Sequence, residues 1–127
     1  MKEIKFQDRL TLPIETALTF LQRVLGLAFR KDCDGRGLLI ALPKRSNPKI
    51  WMWGMRFAID ILWIRDDEVV KVEEDVARPK NCFLSVIFPY CLKKYSAGKD
   101  VDYILEVEAG FCRKNNISAR EKICLNI

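Results

Sequence analysis

The sequence predicts an α+β fold that is mostly β, a compact barrel-like sheet of about eight short strands with one amphipathic helix and a short second helix. Three observations predict it. Apolar runs of strand length, bounded by Gly, Pro, Asn and Asp, recur along the chain. Only residues 13–26 carry the three-and-four spacing of a long helix. The run at residues 57–64 is apolar on both of its alternating faces, as a strand in the middle of a sheet must be.

In chain order, Ile4 and Phe6 alternate with charged residues over 2–6, and residues 9–12 give a second short β signal. Pro13 then suits the first position of a helix, where its missing amide proton has no intrahelical partner. Ile14, Ala17, Leu18, Leu21, Val24 and Leu25 follow at helical spacing up to Gly26. Residues 37–42 read as a buried strand between Gly35 and Pro43, and 44–49, with Ser46, Asn47 and Pro48, as a loop. Residues 50–53 and 57–64 resume strand character, and Asp66 with Asp67 turns the chain into 68–72 as a hairpin. Residues 82–88, 102–109 and 122–127 are strand-like, with one or two helical turns over 110–116. No repeat, linker or low-complexity tract divides the chain, so residues 1–127 are expected to form a single domain.

Half of the 127 residues are hydrophobic, enough for a real core without staples. The N-terminal residues alternate charge with apolar side chains, unlike a secretory leader, and the longest apolar stretch, 82–92, contains Pro89 and falls short of the roughly 20 residues that span a bilayer. A soluble, cytoplasmic protein without membrane association is therefore expected. Five cysteines, an odd number without a C-x-x-C pair, and the absence of histidine point to free thiols, with no metal and no cofactor expected. The net charge of +5 would suit a polyanion, but the basic residues fall in short groups interleaved with acids such as Glu73, Glu74 and Asp75, which reads as solvated surface.

Without histidine, the Ser-His triad and the usual Cys-His pair are excluded, and Asp34-Gly35-Arg36-Gly37 lacks the length and lysine of a phosphate loop. Asp60 stands out as an acid inside an apolar strand. Burying it unpaired would cost several kcal/mol, so it requires a cation, backbone amides or a ligand, with Arg30 and Arg56 as the candidate cations. Glu106, between Leu105 and Val107, alternates with Ile104 and Glu108 and is expected to face solvent, the alternative being a carboxylate pair with Asp60. Trp51, Met52, Trp53, Gly54 and Met55 surround a glycine that permits a bulge, and suit core or pocket wall.

Four ordered pieces resemble a known family. Gly26-Leu27-Ala28-Phe29-Arg30 is like Gly-Leu-Met-x-Arg, and Gly37-Leu38-Leu39 is like Gly-Met-Leu-Phe. Trp51-Met52 with Ile59-Asp60-Ile61-Leu62 is like Trp-Met followed by Leu-Asp-Ile, and Leu105-Glu106-Val107 with Ala109-Gly110 is like the closing Leu-Glu-x-x-x-Gly. In these pieces, over residues 17–127, the chain resembles domain of unknown function 192. The resemblance implies a compact β-rich barrel with a helix and implies no established activity. The chain departs from the pattern at Trp53-Gly54-Met55, where many members have Lys-Asn-Thr, and at Ser118-Ala119-Arg120, where a glycine is common.

Missing catalytic sets and charged residues in apolar contexts favour a non-enzymatic binding module, with Arg30, Trp53, Asp60 and Glu106 near one apolar pocket that accepts a small molecule or a protein segment. A carboxylate-dependent hydrolase using Asp60 and Glu106 is the second reading, and requires both side chains on one face of the sheet. A nucleic-acid-binding barrel, stacking bases on Trp51 or Trp53, is the third.

Overall fold

The computed structural model describes residues 2–7, 9–18, 27, 30–52, 55–77 and 93–127. Its elements are β1 (Glu3–Phe6), β2 (Leu10–Ala17), β3 (Gly37–Ser46), β4 (Ile50–Trp51), β5 (Ile59–Arg65), β6 (Glu68–Val76), β7 (Lys94–Tyr95), β8 (Val101–Glu108), the helical turn α1 (Phe111–Lys114) and β9 (Ile123–Asn126). Seven strands form one sheet in the order β6-β5-β8-β3-β2-β1-β9, and β4 pairs with β7 in a separate ribbon. All pairings are antiparallel except β2 with β3.

The helix expected from Pro13 does not begin there. Leu12 and Ile14 are buried and Leu10 partly so, a period of two that continues β2 straight through the proline. Antiparallel ladders alternate hydrogen-bonded and non-hydrogen-bonded pairs, and the amide of Ile14 donates to Lys2 O, which leaves Pro13 opposite Glu3 in a non-bonded pair. On its other side β2 pairs with β3 only from Ile14 onward. Neither ladder asks Pro13 for a proton. Leu18, expected on the apolar stripe of that helix, is 54% exposed. The rest of the expected helix, 19–26, lies outside the described residues, as does the expected strand 82–88.

Further boundaries differ, and β6 runs to Val76 rather than 72. β3 extends to Ser46 through the expected loop, with Pro43 accommodated where its register against β8 shifts between Ala41 and Ser46. Of the strand expected at 50–53, Ile50–Trp51 forms β4, Met52 falls outside it and Trp53 lies outside the described residues, and β5 starts at Ile59 rather than 57. The hairpin from β5 to β6 forms as expected: Asp66 and Asp67 have φ of 52° and 58°, the type I′ turn that matches the twist of its flanking strands.

Twist curls the seven-stranded sheet until its two edges meet. A bridge joins Glu68 to Lys122, the amide of Val69 donates to Glu121 O at 2.9 Å, and that of Ile123 to Asp67 O at 3.0 Å. The interior holds Ile4, Phe6, Leu39, Leu62, Ile64, Val69, Leu105 and Val107, closed at one end by Phe111, Cys112 and Ile117 of α1 and its exit. A second apolar cluster packs on the outer face of the central strands, where Leu38, Ile40, Ile59, Ile61, Trp63 and Ile104 meet Leu27, Cys33, Met52, Met55 and Ala97. Apolar packing on both faces of β5 and β8 explains why residues 59–64 and 104–107 are all buried.

Candidate functional site

Asp60 is completely buried, and its partners are backbone amides. Oδ1 accepts from the amides of Asp75 (2.8 Å) and Gly110 (3.3 Å), and Oδ2 from that of Cys112 (3.0 Å). Two irregularities present these donors. Asp75, at φ 53°, lies where the β5–β6 register slips, and Gly110, at φ 93°, precedes α1. Neither Arg30 nor Arg56 meets the charge: Arg30 pairs with Glu15 at 2.5 Å, and Arg56 is exposed. Asp60 thus ties the β6 bulge to the plug of the barrel.

Glu106 overturns the expectation that it faces solvent, being only 5% exposed. Its strand, β8, lies between β3 and β5, and paired residues share a face. Glu106 stands opposite Leu38 and Ile61, so it belongs to the outer face covered by the second cluster. Asp60 stands opposite Val107, on the interior face. The two carboxylates therefore project from opposite sides of the sheet, and the acid and base pair of the hydrolase reading cannot reach a common substrate.

Burial pushes the Glu106 carboxyl up to about 7, against the opposing pull of the Leu27 amide, which hydrogen-bonds to it, and of the Arg30 guanidinium. Oε2 of Glu106 has no hydrogen-bond partner among the described residues. The same is true of the indole Nε1 of Trp63, which is completely buried. Trp63 lies two residues from Ile61 on β5 and so shares the outer face, diagonal to Glu106, with Lys71 Nζ 5.2 Å from its ring centroid. An orphaned acceptor and an orphaned donor thus neighbour each other beneath one cover.

Arg30 borders this site through its pair with Glu15, which sits next to Leu38 across the β2–β3 ladder on the same face. Cys33 is buried nearby, and burial together with Glu108 and Glu106 drives its thiol up to about 12, so it stays protonated at neutral pH. Trp53, the fourth expected site residue, lies outside the described residues. The structure therefore brings Arg30 and Glu106 together and separates Asp60 from them. Sequence reasoning missed Trp63, whose only signal is an indole in a run apolar on both sides.

A groove of about 480 Å³ lies elsewhere, between the β5–β6 turn and the middle of β3. Its Arg45 donates to Asp102 at 2.8 Å and to Asp66 at 2.5 Å, and Asp102 also accepts the Asp66 amide at 3.0 Å. These bonds hold the Asp102 carboxyl below the usual range and saturate its oxygens. The cluster fastens the hairpin to β8. Among the described residues no group of three or more Cys, Asp or Glu could hold a metal ion, and no helix is long and apolar enough to cross a membrane.

Comparison with known proteins bears on the fold. The family model DUF192, described as "Uncharacterized ACR", matches residues 3–125. A crystal structure from Sinorhizobium meliloti, described as a "putative transcription regulator", superposes with a TM-score of 0.82 at 18% identity, covering 98% of this chain and 92% of its own. A protein of unknown function from Novosphingobium aromaticivorans superposes with a TM-score of 0.78, also at 18% identity, covering 97% of this chain and 81% of its own. At that identity the likeness shows the shared barrel alone. No curated protein matches the chain.

Proposed function

The chain belongs to the DUF192 family, which has no established activity, and on that premise we propose a non-enzymatic binding module whose site is the outer face around Glu106. The observation that carries this reading is the Glu106 carboxylate, buried with Oε2 unpartnered among the described residues. More than nine-tenths of buried polar groups in native proteins have a partner, and leaving one unmade costs about 1–3 kcal/mol. Two such atoms on one face, an acceptor on Glu106 and a donor on Trp63, suit a ligand that offers a donor and an acceptor together. An amide does so, whether in a small molecule or in a protein segment. Arg30 borders the site, and Trp53 lies between Met52 and Met55 in sequence, both of which pack in the cover.

The test is a titration of the ¹⁵N-labelled protein with N-methylacetamide at pH 8, following the Trp63 indole N–H and the Leu27 amide. Both resonances are expected to shift along one saturable curve, and Glu106→Ala to weaken it at least tenfold. A response confined to other residues, or one that Glu106→Ala leaves unchanged, removes the site. Asp60→Asn should leave the titration unaltered, because the oxygens of Asp60 already accept three amides on the opposite face.

A further inference from the structure

The ribbon of β4 and β7 has one face on the barrel and one away from it. Ile50 and Tyr95, opposite each other in its register, pack against the second apolar cluster, and Met52 is buried in it. The alternate pair, Trp51 opposite Lys94, points the other way, and two residues from each of them the same alternation puts Lys49 and Ser96 on that face. Trp51 stays partly exposed and belongs to neither apolar cluster. Lys94 Nζ lies 6.0 Å from the Trp51 ring centroid, and Lys93 Nζ 5.1 Å from that of Tyr95. Lys71 adjoins the ribbon by donating to Ser96 O at 2.7 Å.

The ribbon combines an outward indole with a local excess of positive charge. Arg9, Arg30 and Arg45 are neutralised by carboxylates. Residues 49–52 and 93–96 hold three lysines and no acid, and none of Lys49, Lys93 and Lys94 has an ion pair among the described residues. An outward indole flanked by lysines without an ion pair among the described residues matches a ligand with flat faces and a repeating negative charge. A single-stranded nucleic acid has both, whereas a duplex keeps its base faces inside the stack.

We propose that the outward face of this ribbon binds single-stranded RNA, with one base stacked on Trp51, phosphates on Lys49 and Lys94 of that face and on Lys93, which lies on the Tyr95 side but is exposed at the ribbon's end, and the Ser96 hydroxyl partnering a ribose 2′-OH. The 2′-OH is what distinguishes RNA from DNA at a given contact, and Ser96 is the hydroxyl on this face. On binding, Lys94 exchanges its ring contact for a phosphate. This surface is independent of the Glu106 site, so either assignment can fail without the other.

Fluorescence anisotropy with a 5′-labelled 12-mer of oligouridine, the full chain and two salt concentrations, 50 and 200 mM, tests the proposal. Three phosphate contacts give a log–log salt slope of about −2, an affinity loss of about 20-fold across that interval. Lys93→Gln with Lys94→Gln leaves one contact and should reduce the loss to about threefold. Trp51→Ala should weaken binding about fivefold or more at 50 mM, while Trp51→Phe, which keeps a ring, should retain most of it. Ser96→Ala should shrink the preference for oligouridine over oligothymidine. Absence of binding at 50 mM overturns the proposal. So does equal weakening by Lys5→Gln with Lys114→Gln, exposed lysines away from the ribbon, because the attraction is then delocalised. Equal affinity for inorganic polyphosphate, with Trp51→Ala and Trp51→Phe both like wild type, overturns the stacking platform. Equal affinity of the wild type for oligothymidine overturns the assignment to RNA.

Discussion

Two buried carboxylates, one strand apart, show how partners decide what a charge does. Glu106 has an ordinary value near 4.5 and is pushed up to about 7 in the fold, so between those limits the folded chain holds a proton that the unfolded chain has released. Stability contributed by this group is fully present below about pH 4.5 and is lost as pH rises to about 7, the reverse of a salt-bridged acid, and the span corresponds to roughly 3 kcal/mol. Glu106→Gln, uncharged at every pH, should flatten that descent, so its gain in thermal stability over wild type is larger at pH 8 than at pH 5. An equal difference at both values would show that Glu106 titrates normally. Asp60, by contrast, has its oxygens satisfied by three backbone amides. Asp60→Ala strands those donors and should cost about 3–5 kcal/mol in urea unfolding, whereas Asp60→Asn, which keeps an acceptor, should cost roughly half as much.

At the scale of elements, strands with a clear period were legible and those with two readings were not. Residues 59–64 are apolar on both faces, and burial on both faces follows from that pattern alone. The Asp66-Asp67 turn was equally plain. Leu10, Leu12 and Ile14 alternate, but Ala17 and Leu18 complete a helical spacing too, and Pro13 fits a helix start and a non-bonded strand position alike; only the pairing with Glu3 decides. Glu106 was misplaced for the same reason, since Ile104, Glu106 and Glu108 look like a solvated alternation until β3 and β5 flank the strand. Asp60 was legible as a buried charge, but its amide donors arise from a bulge and a left-handed glycine that no local pattern announces. The element-level test is Gly37, where an added Cβ would lie 2.9 Å from Leu12 Cδ2, 3.0 Å from Leu105 Cδ1 and 3.3 Å from Val107 Cγ1. Gly37→Val should lower stability by about 2–3 kcal/mol through overpacking. In the turn, Asp67→Gly relieves a positive φ of 58° and should stabilise by a few tenths of a kcal/mol.

For the molecule as a whole, the curled sheet has a strong middle and a weak seam. β5 and β8 are buried on both faces and bonded along their full lengths, whereas the edges of the sheet meet only around residues 67–69 and 120–123. That seam is crossed by backbone bonds and by the Lys122–Glu68 ion pair at 3.3 Å, and its 120–123 side is anchored to the β1–β2 turn by Glu121, a nearly buried carboxylate that receives Arg9 and, at 2.5 Å, Gln7 Nε2. Arg9 also reaches the carbonyl oxygens of Asn115 and Asn116, so one side chain from the β1–β2 turn clamps the exit of α1 to the closing strand. Opening there exposes little of the interior at first, which makes it a sub-global event of lower free energy than unfolding. Hydrogen exchange should therefore give amides of Val69 and Ile123 protection at least tenfold below those of Ile61 and Leu105. Arg9→Ala should widen that gap by speeding exchange at Val69 and Ile123 while leaving Ile61 and Leu105 governed by global unfolding. If all four amides accelerate together, the barrel opens only as a unit and Arg9 contributes to the whole fold rather than to its seam.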